Sequence, residues 1–130
     1  MADVNRGNRP LSPHLQVYRL PLSAITSILT RITGHALVAG IVLIVWWLVA
    51  AVSSAGAFAC ADWVMRSWLG FIILTGSMWA LWYHLLAGLR HLFYDAGLGL
   101  EIEQAEKSSI AILAGSVVLA ILTLIIFFLF

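Results

Sequence analysis

Three long apolar runs separated by short polar stretches organise this chain. They cover residues 24–52, 67–93 and 109–130, and the last contains no ionisable side chain. Each satisfies the roughly 20 apolar residues that a helix needs to cross the hydrocarbon layer. Backbone groups in lipid must pair internally, so the runs predict helices, and the chain reads as an all-α membrane protein with three transmembrane helices. The stretches between the runs read as connections. In the second, Glu101, Glu103 and Glu106 predict a solvated loop leading to a helix start at Ser108 or Ser109.

Residues 1–23 form a different kind of segment. They are polar and hold all three prolines, Pro10, Pro13 and Pro21. Proline keeps a chain extended or turning. The apolar run that follows is too long for the h-region of a cleaved signal peptide. The segment is therefore expected to be an ordered arm on the cytoplasmic or interfacial side, ahead of a transmembrane domain over 24–130.

Composition removes several function classes. Of 130 residues, 62% are hydrophobic and 10% charged, against about 25% charged in a soluble domain. The net charge of +1 comes with no basic cluster, so no nucleic-acid partner is expected. The single cysteine, Cys60, excludes an intrachain disulfide and a multi-cysteine metal site within the chain. Arg6, Arg9, Arg19 and Arg31 lie at the N-terminal end, and Arg90 and Lys107 fall on the same side of three spans, against Arg66 alone on the other. That bias predicts a cytoplasmic N-terminus and an external C-terminus. Trp46, Trp47, Trp63 and Trp68 gather near the far side, as an interfacial belt does.

The candidate chemistry lies at the end of the second run. His84, Gly88, His91 and Asp95 have the i, i+4, i+7, i+11 spacing that puts them on one helix face, with Arg90 beside them. Ionisable groups at membrane depth are expensive and are read as functional positions first. At about 1.5 Å per residue, His84 and His35 both come to roughly 16 Å depth, Arg31 to roughly 10 Å and His91 to roughly 6 Å. A deeper level with His84 suits a haem, whose iron takes a neutral imidazole as axial ligand, and Gly88 lets a flat macrocycle approach the backbone. An outer level of Ser27, Arg31, Arg90, His91 and Asp95 suits haem propionates or a polar quinone head group. Arg31 is a fork-shaped donor to carboxylates, and Ser27 sits one turn earlier on the same face. Each residue also has a plain alternative. Histidines can tie helices together, and Arg31, Arg90 and His91 can anchor at the interface. Asp95, near a helix C-terminus, opposes the macrodipole and calls for a cation or water. Gly34, Gly40, Gly76 and Gly115 are simplest as helix-packing positions.

At these residues the chain resembles the cytochrome b556 subunits of succinate dehydrogenase, the larger membrane anchor of respiratory complex II. That family opens with Arg-Pro and continues to Ser-x-x-His-Arg-x-(Ser/Thr); here the matching residues are Arg9-Pro10 and Ser27 through Thr33, followed by Gly34. A second family pattern, His-x-x-x-Gly-x-Arg-His ending in aspartate, is present from His84 to Asp95, followed by Gly97. The resemblance spans nearly the whole chain. It implies one half of a haem- and quinone-binding helical bundle. His84 would be an axial ligand of haem b, and a smaller hydrophobic anchor subunit would supply the second. Ser27 and Arg31 would line a ubiquinone pocket. Arg31, Arg90, His91 and Asp95 would lie in the propionate and proton-access region, with a related role for Glu101. The partners implied are that anchor, an iron–sulfur subunit, a flavoprotein subunit and the lipid of the bacterial cytoplasmic (inner) membrane. In one place the chain departs from the pattern, since Thr30 stands where the family usually has histidine and cannot supply an imidazolium. His35 is an additional histidine at the depth of His84, so an intrachain bis-histidine site is also conceivable.

The function these features imply is membrane anchoring of succinate dehydrogenase and reduction of ubiquinone with electrons from succinate. No dicarboxylate or flavin motif occurs, so the chain alone is not expected to oxidise succinate. The alternatives are the anchor of a related quinol:fumarate reductase and a cofactor-free membrane scaffold. A small transporter is disfavoured by the absence of an evident internal repeat and by the charge-free third run.

Overall fold

The computed structural model describes residues 19–130. Most of the arm expected over 1–23 therefore lies outside the described residues, including Arg6, Arg9, Pro10 and Pro13. Four helices make up the described chain: α1 (Leu22–Ser53), α2 (Ala55–Arg66), α3 (Trp68–Asp95) and α4 (Ile102–Leu129). Three of them, α1, α3 and α4, are long and apolar enough to cross a membrane. At 32 residues, α1 extends about 48 Å, well beyond a hydrocarbon core of about 30 Å.

The helix α2 departs from the sequence expectation of a simple connection. Two serines make it. Ser54 interrupts α1 with an extended backbone, and its hydroxyl accepts from the Ala57 amide at 3.2 Å. Ser67 repeats the device for α3, accepting from the Gly70 amide at 3.1 Å while donating to the Val64 carbonyl at 2.6 Å. Both are N-caps of the strongly preferred kind. The turn between α2 and α3 is so tight that a Cβ at Gly70 would run into the Val64 and Met65 carbonyls. Helix α2 packs against α1 and α3, burying Ala61 and setting Phe58 against Trp47 with ring centroids 5.7 Å apart. Its outer side carries the Asp62–Arg66 ion pair at 2.8 Å and Trp63, which is 74% exposed; Trp68, at 76%, continues the aromatic edge.

Helix α4 begins earlier than expected, at Ile102 rather than near Ser108 or Ser109. Glu103 and Glu106 are helical, and Glu103 lies in the first turn, where carboxylates favour the positive end of the macrodipole, while Glu101 is the N-cap. Glu103 also pairs with Lys107 one turn later at 2.6 Å, in the favourable Glu-to-Lys order. Only a short connection remains between α3 and α4. Gly97 and Gly99 both take φ +74° there, a left-handed conformation that costs glycine little. The Leu98 and Gly97 amides donate back to the Phe93 and Tyr94 carbonyls at 2.9 Å each, closing α3.

Helix α3 packs against both α1 and α4, and α1 touches α4. Their shared interior is small and mixed. Tyr83, Ala87 and Ile112 form the apolar cluster, and Thr26, Thr33, Arg90, Ser109 and Ser116 are buried beside it. Small residues permit the close approach. A Cβ on Gly40 would come within 2.9 Å of the Ser77 hydroxyl, and one on Gly115 within 3.2 Å of Leu86. Gly76 does not fit this packing role, because a Cβ there would meet open space. Large apolar side chains such as Ile41, Val42, Ile72, Val118 and Phe128 face outward, as lipid or a second hydrophobic subunit allows.

Candidate functional site: a histidine groove between α1 and α3

Helix α3 carries His84 on the side that faces α1. A groove of about 300 Å³ runs there, lined by Thr30, Arg31, Gly34, His35, Val38 and His84. The imidazole is held from one side. Its Nδ1 is 3.1 Å from the Thr30 carbonyl and 3.4 Å from the Thr33 hydroxyl. The carbonyl can only accept, so Nδ1 carries the proton and Nε2 keeps its lone pair. Nε2 has no hydrogen-bond partner among the described residues. A Cβ on Gly34 would stand 3.2 Å from His84 Cε1, so glycine is what lets the ring lie against α1. One turn beyond His84, Gly88 faces open space.

These features fit an imidazole offered as a single metal ligand beside a surface open to a flat group. Among the described residues no three His, Cys, Asp or Glu side chains gather as a metal site. The described residues alone would therefore not cage an iron held at His84. His35 lines the same groove, with its own Nδ1 donating to the Arg31 carbonyl at 2.8 Å. Thr30, at the position where the family pattern has histidine, spends its hydroxyl on the Thr26 carbonyl at 2.9 Å.

The outer residues separate into two groups. Arg31 lines the groove, is exposed, and makes no ion pair among the described residues. Ser27, half-buried, lies one turn earlier on the same side of α1 and outside the groove lining. His91 is exposed and edge-on to Tyr94 at 6.1 Å. Asp95 is exposed at the end of α3, without an ion pair among the described residues. Glu101 is exposed at the start of α4.

Arg90 does not join them. It is 6% exposed and points into the three-helix interior, where Nη1 donates to Ser109 at 2.9 Å and to Thr26 at 3.2 Å. Its position six residues after His84 turns it about 240° around the helix from that side chain, at 100° per residue. This placement turns Arg90 away from the groove that Arg31 lines and ties α1, α3 and α4 together. The contacts that Thr33, the Thr30 carbonyl and Gly34 make with His84 were not anticipated, although Thr33 closes the Ser27–Thr33 element and Gly34 directly follows it.

The chain matches the family described as succinate dehydrogenase/fumarate reductase transmembrane subunit over residues 5–123. It is 89% identical to the succinate dehydrogenase cytochrome b556 subunit of Paracoccus denitrificans, over the full length of both chains. It is 36% identical to the b556 subunit of Rickettsia conorii, across 88% of this chain and 89% of that one. It is 38% identical to the mitochondrial cytochrome b560 subunit of Bos taurus, across 82% of this chain and 64% of the bovine one. The groove, the three spanning helices and these similarities agree, and the chain belongs to the succinate dehydrogenase/fumarate reductase transmembrane subunit family.

Proposed function

We propose that this chain is the haem-bearing, quinone-reducing membrane anchor of a succinate dehydrogenase, with His84 as an axial ligand of haem b. The observation that carries the reading is the His84 imidazole, tied through Nδ1 to the Thr30 carbonyl, with Nε2 unpartnered among the described residues. When bound, haem b supplies a one-electron redox centre. The chain's own residues hold and surround it: His84 donates an Nε2 lone pair, Gly34 and Gly88 leave room, and apolar helices keep water away. A smaller anchor subunit would supply a second histidine, and the iron–sulfur and flavoprotein subunits would carry succinate oxidation. Relatives named as succinate dehydrogenase subunits favour that direction over fumarate reduction.

Ubiquinone takes two electrons from the complex and two protons from water to become ubiquinol. The Arg31 guanidinium is suited to donate to a quinone carbonyl, stabilising negative charge as electrons arrive. Ser27, on the same side of α1, donates to the same oxygen or its neighbour. Exposed His91, Asp95 and Glu101 lie at the α3–α4 end of the chain, where protons enter from the cytoplasmic side. Arg31→Leu is expected to lower quinone reduction about 10–100-fold, the equivalent of one lost charge-assisted hydrogen bond. Ser27→Ala should lower it about 3–10-fold. Succinate oxidation by an artificial acceptor at the soluble subunits should stay unchanged in both. Equal loss of the two activities would mean failed assembly and remove the quinone role from these residues.

We also infer a multi-pass orientation in the bacterial cytoplasmic membrane, N-terminus inside and C-terminus outside, from the arginine and lysine bias. A periplasm-active reporter fused after Phe130 is expected to be active; activity of a cytoplasmic reporter there would overturn the orientation.

A further inference from the structure

We propose that Thr33 and Gly34 are positioning residues for His84, fixing both the tautomer and the ring plane of the imidazole. The inference rests on the reading of His84 as a haem ligand. Thr33 is buried, 2% exposed, on the side of α1 that meets α3. Its hydroxyl proton is committed to α1 itself, with the Leu29 carbonyl at 2.9 Å and the Thr30 carbonyl at 3.0 Å. A hydroxyl that donates backward presents its lone pairs outward, and the His84 Nδ1 lies 3.4 Å away. The Thr30 carbonyl, 3.1 Å from the same nitrogen, is the second acceptor. The Nδ1 proton is thus shared between two oxygens of one helical turn. Flipping the tautomer would set a lone pair against both, a repulsion that keeps Nε2 as the free base.

Gly34 supplies the complementary restraint. The ring edge lies where a side chain would begin, with Cε1 3.2 Å from the Cβ that any other residue would carry. Alanine at this position displaces the ring by a few tenths of an ångström or turns its plane. Two consecutive residues on α1 therefore orient a ligand on α3. Partners of this kind hold a metal-bound histidine in one orientation, and their loss costs about 10–100-fold in metal affinity or activity.

The test uses the assembled, detergent-purified complex. Haem affinity is measured by competition with a haem-binding apoprotein, and ring orientation by the low-spin EPR g-values. Thr33→Val keeps the shape and removes the acceptor; it is expected to weaken haem retention about tenfold and to move the g-values. Thr33→Ser restores the hydroxyl and should return both to within about twofold of wild type. Gly34→Ala is expected to move the g-values. Unchanged haem retention and g-values in Thr33→Val would overturn the proposal for Thr33, as would equal impairment in Thr33→Val and Thr33→Ser, because the restored hydroxyl would then rescue nothing. Unchanged g-values in Gly34→Ala would overturn it for Gly34. His84→Ala, run alongside, separates the two levels. If it keeps the wild-type spectrum, the ligand assignment fails and the positioning role with it. If it loses the spectrum while the α1 variants do not move, only the positioning role fails.

Discussion

Arg90→Ala is expected to destabilise the three-helix unit by about 2–4 kcal/mol, from two lost hydrogen bonds and the void left by a long buried side chain. The neighbouring hydroxyls limit the cost because they keep other partners. Thr26 still reaches the Ser23 carbonyl at 3.0 Å and Ser109 at 3.1 Å, and Ser109 still donates to the Ala105 carbonyl at 2.7 Å. Arg90 has no ion-pair partner among the described residues, so its desolvation is offset only in part, by the two hydrogen bonds and by the Tyr94 ring 5.7 Å from the guanidinium carbon. Arg90→Met fills most of the volume and removes that cost. It is therefore expected to lie within about 1.5 kcal/mol of wild type. Unfolding of the purified complex in mixed micelles measures both variants. A stable Arg90→Ala complex with impaired quinone reduction would instead return Arg90 to the quinone or propionate region.

The Tyr83 side chain belongs to the same joint. It is fully buried and donates to the Thr26 carbonyl at 2.7 Å, so Thr26 receives α3 at both its backbone and its hydroxyl. His84, the next residue, turns toward the α1 groove. Adjacent residues on α3 thus serve two purposes, Tyr83 packing the interior and His84 lining the groove.

The spanning helices were legible because hydropathy over 20 residues overwhelms local detail. Their ends were not. The first turns of α4 are polar, and a run of Glu and Lys reads as a loop unless its i, i+4 pairing and its place at a helix start are weighed together. Helix α2 was hidden for a related reason: its composition is mixed, and only the capping serines Ser54 and Ser67 announce it. Within the site, the spacing of His84, Gly88, His91 and Asp95 put them on one face of α3, and depth arithmetic brought His35 level with His84 but set Arg31 on an outer level, whereas its long side chain lines the same groove. The inward direction of Arg90 was not legible, because depth alone does not fix the direction around the helix. At 100° per residue, one position separates a groove residue from an interior one. The Thr30 carbonyl was out of reach of any side-chain motif, since a backbone acceptor leaves no mark in the sequence.

His84→Ala is expected to have the largest functional effect. The described residues hold no cluster of three or more metal ligands, so under the proposed ligation the loss of this imidazole removes the contact that the reading rests on. His35 is a weak substitute. It sits on α1, on the other side of the groove, with its Nδ1 already tied to the Arg31 carbonyl. The most direct test of the account is therefore a reduced-minus-oxidised visible spectrum of the purified, fully assembled complex, wild type beside His84→Ala. The account predicts a b-type α-band in the wild type that is lost or strongly altered in the variant. An assembled variant with the wild-type band, or an assembled wild type with none, would contradict haem ligation at His84.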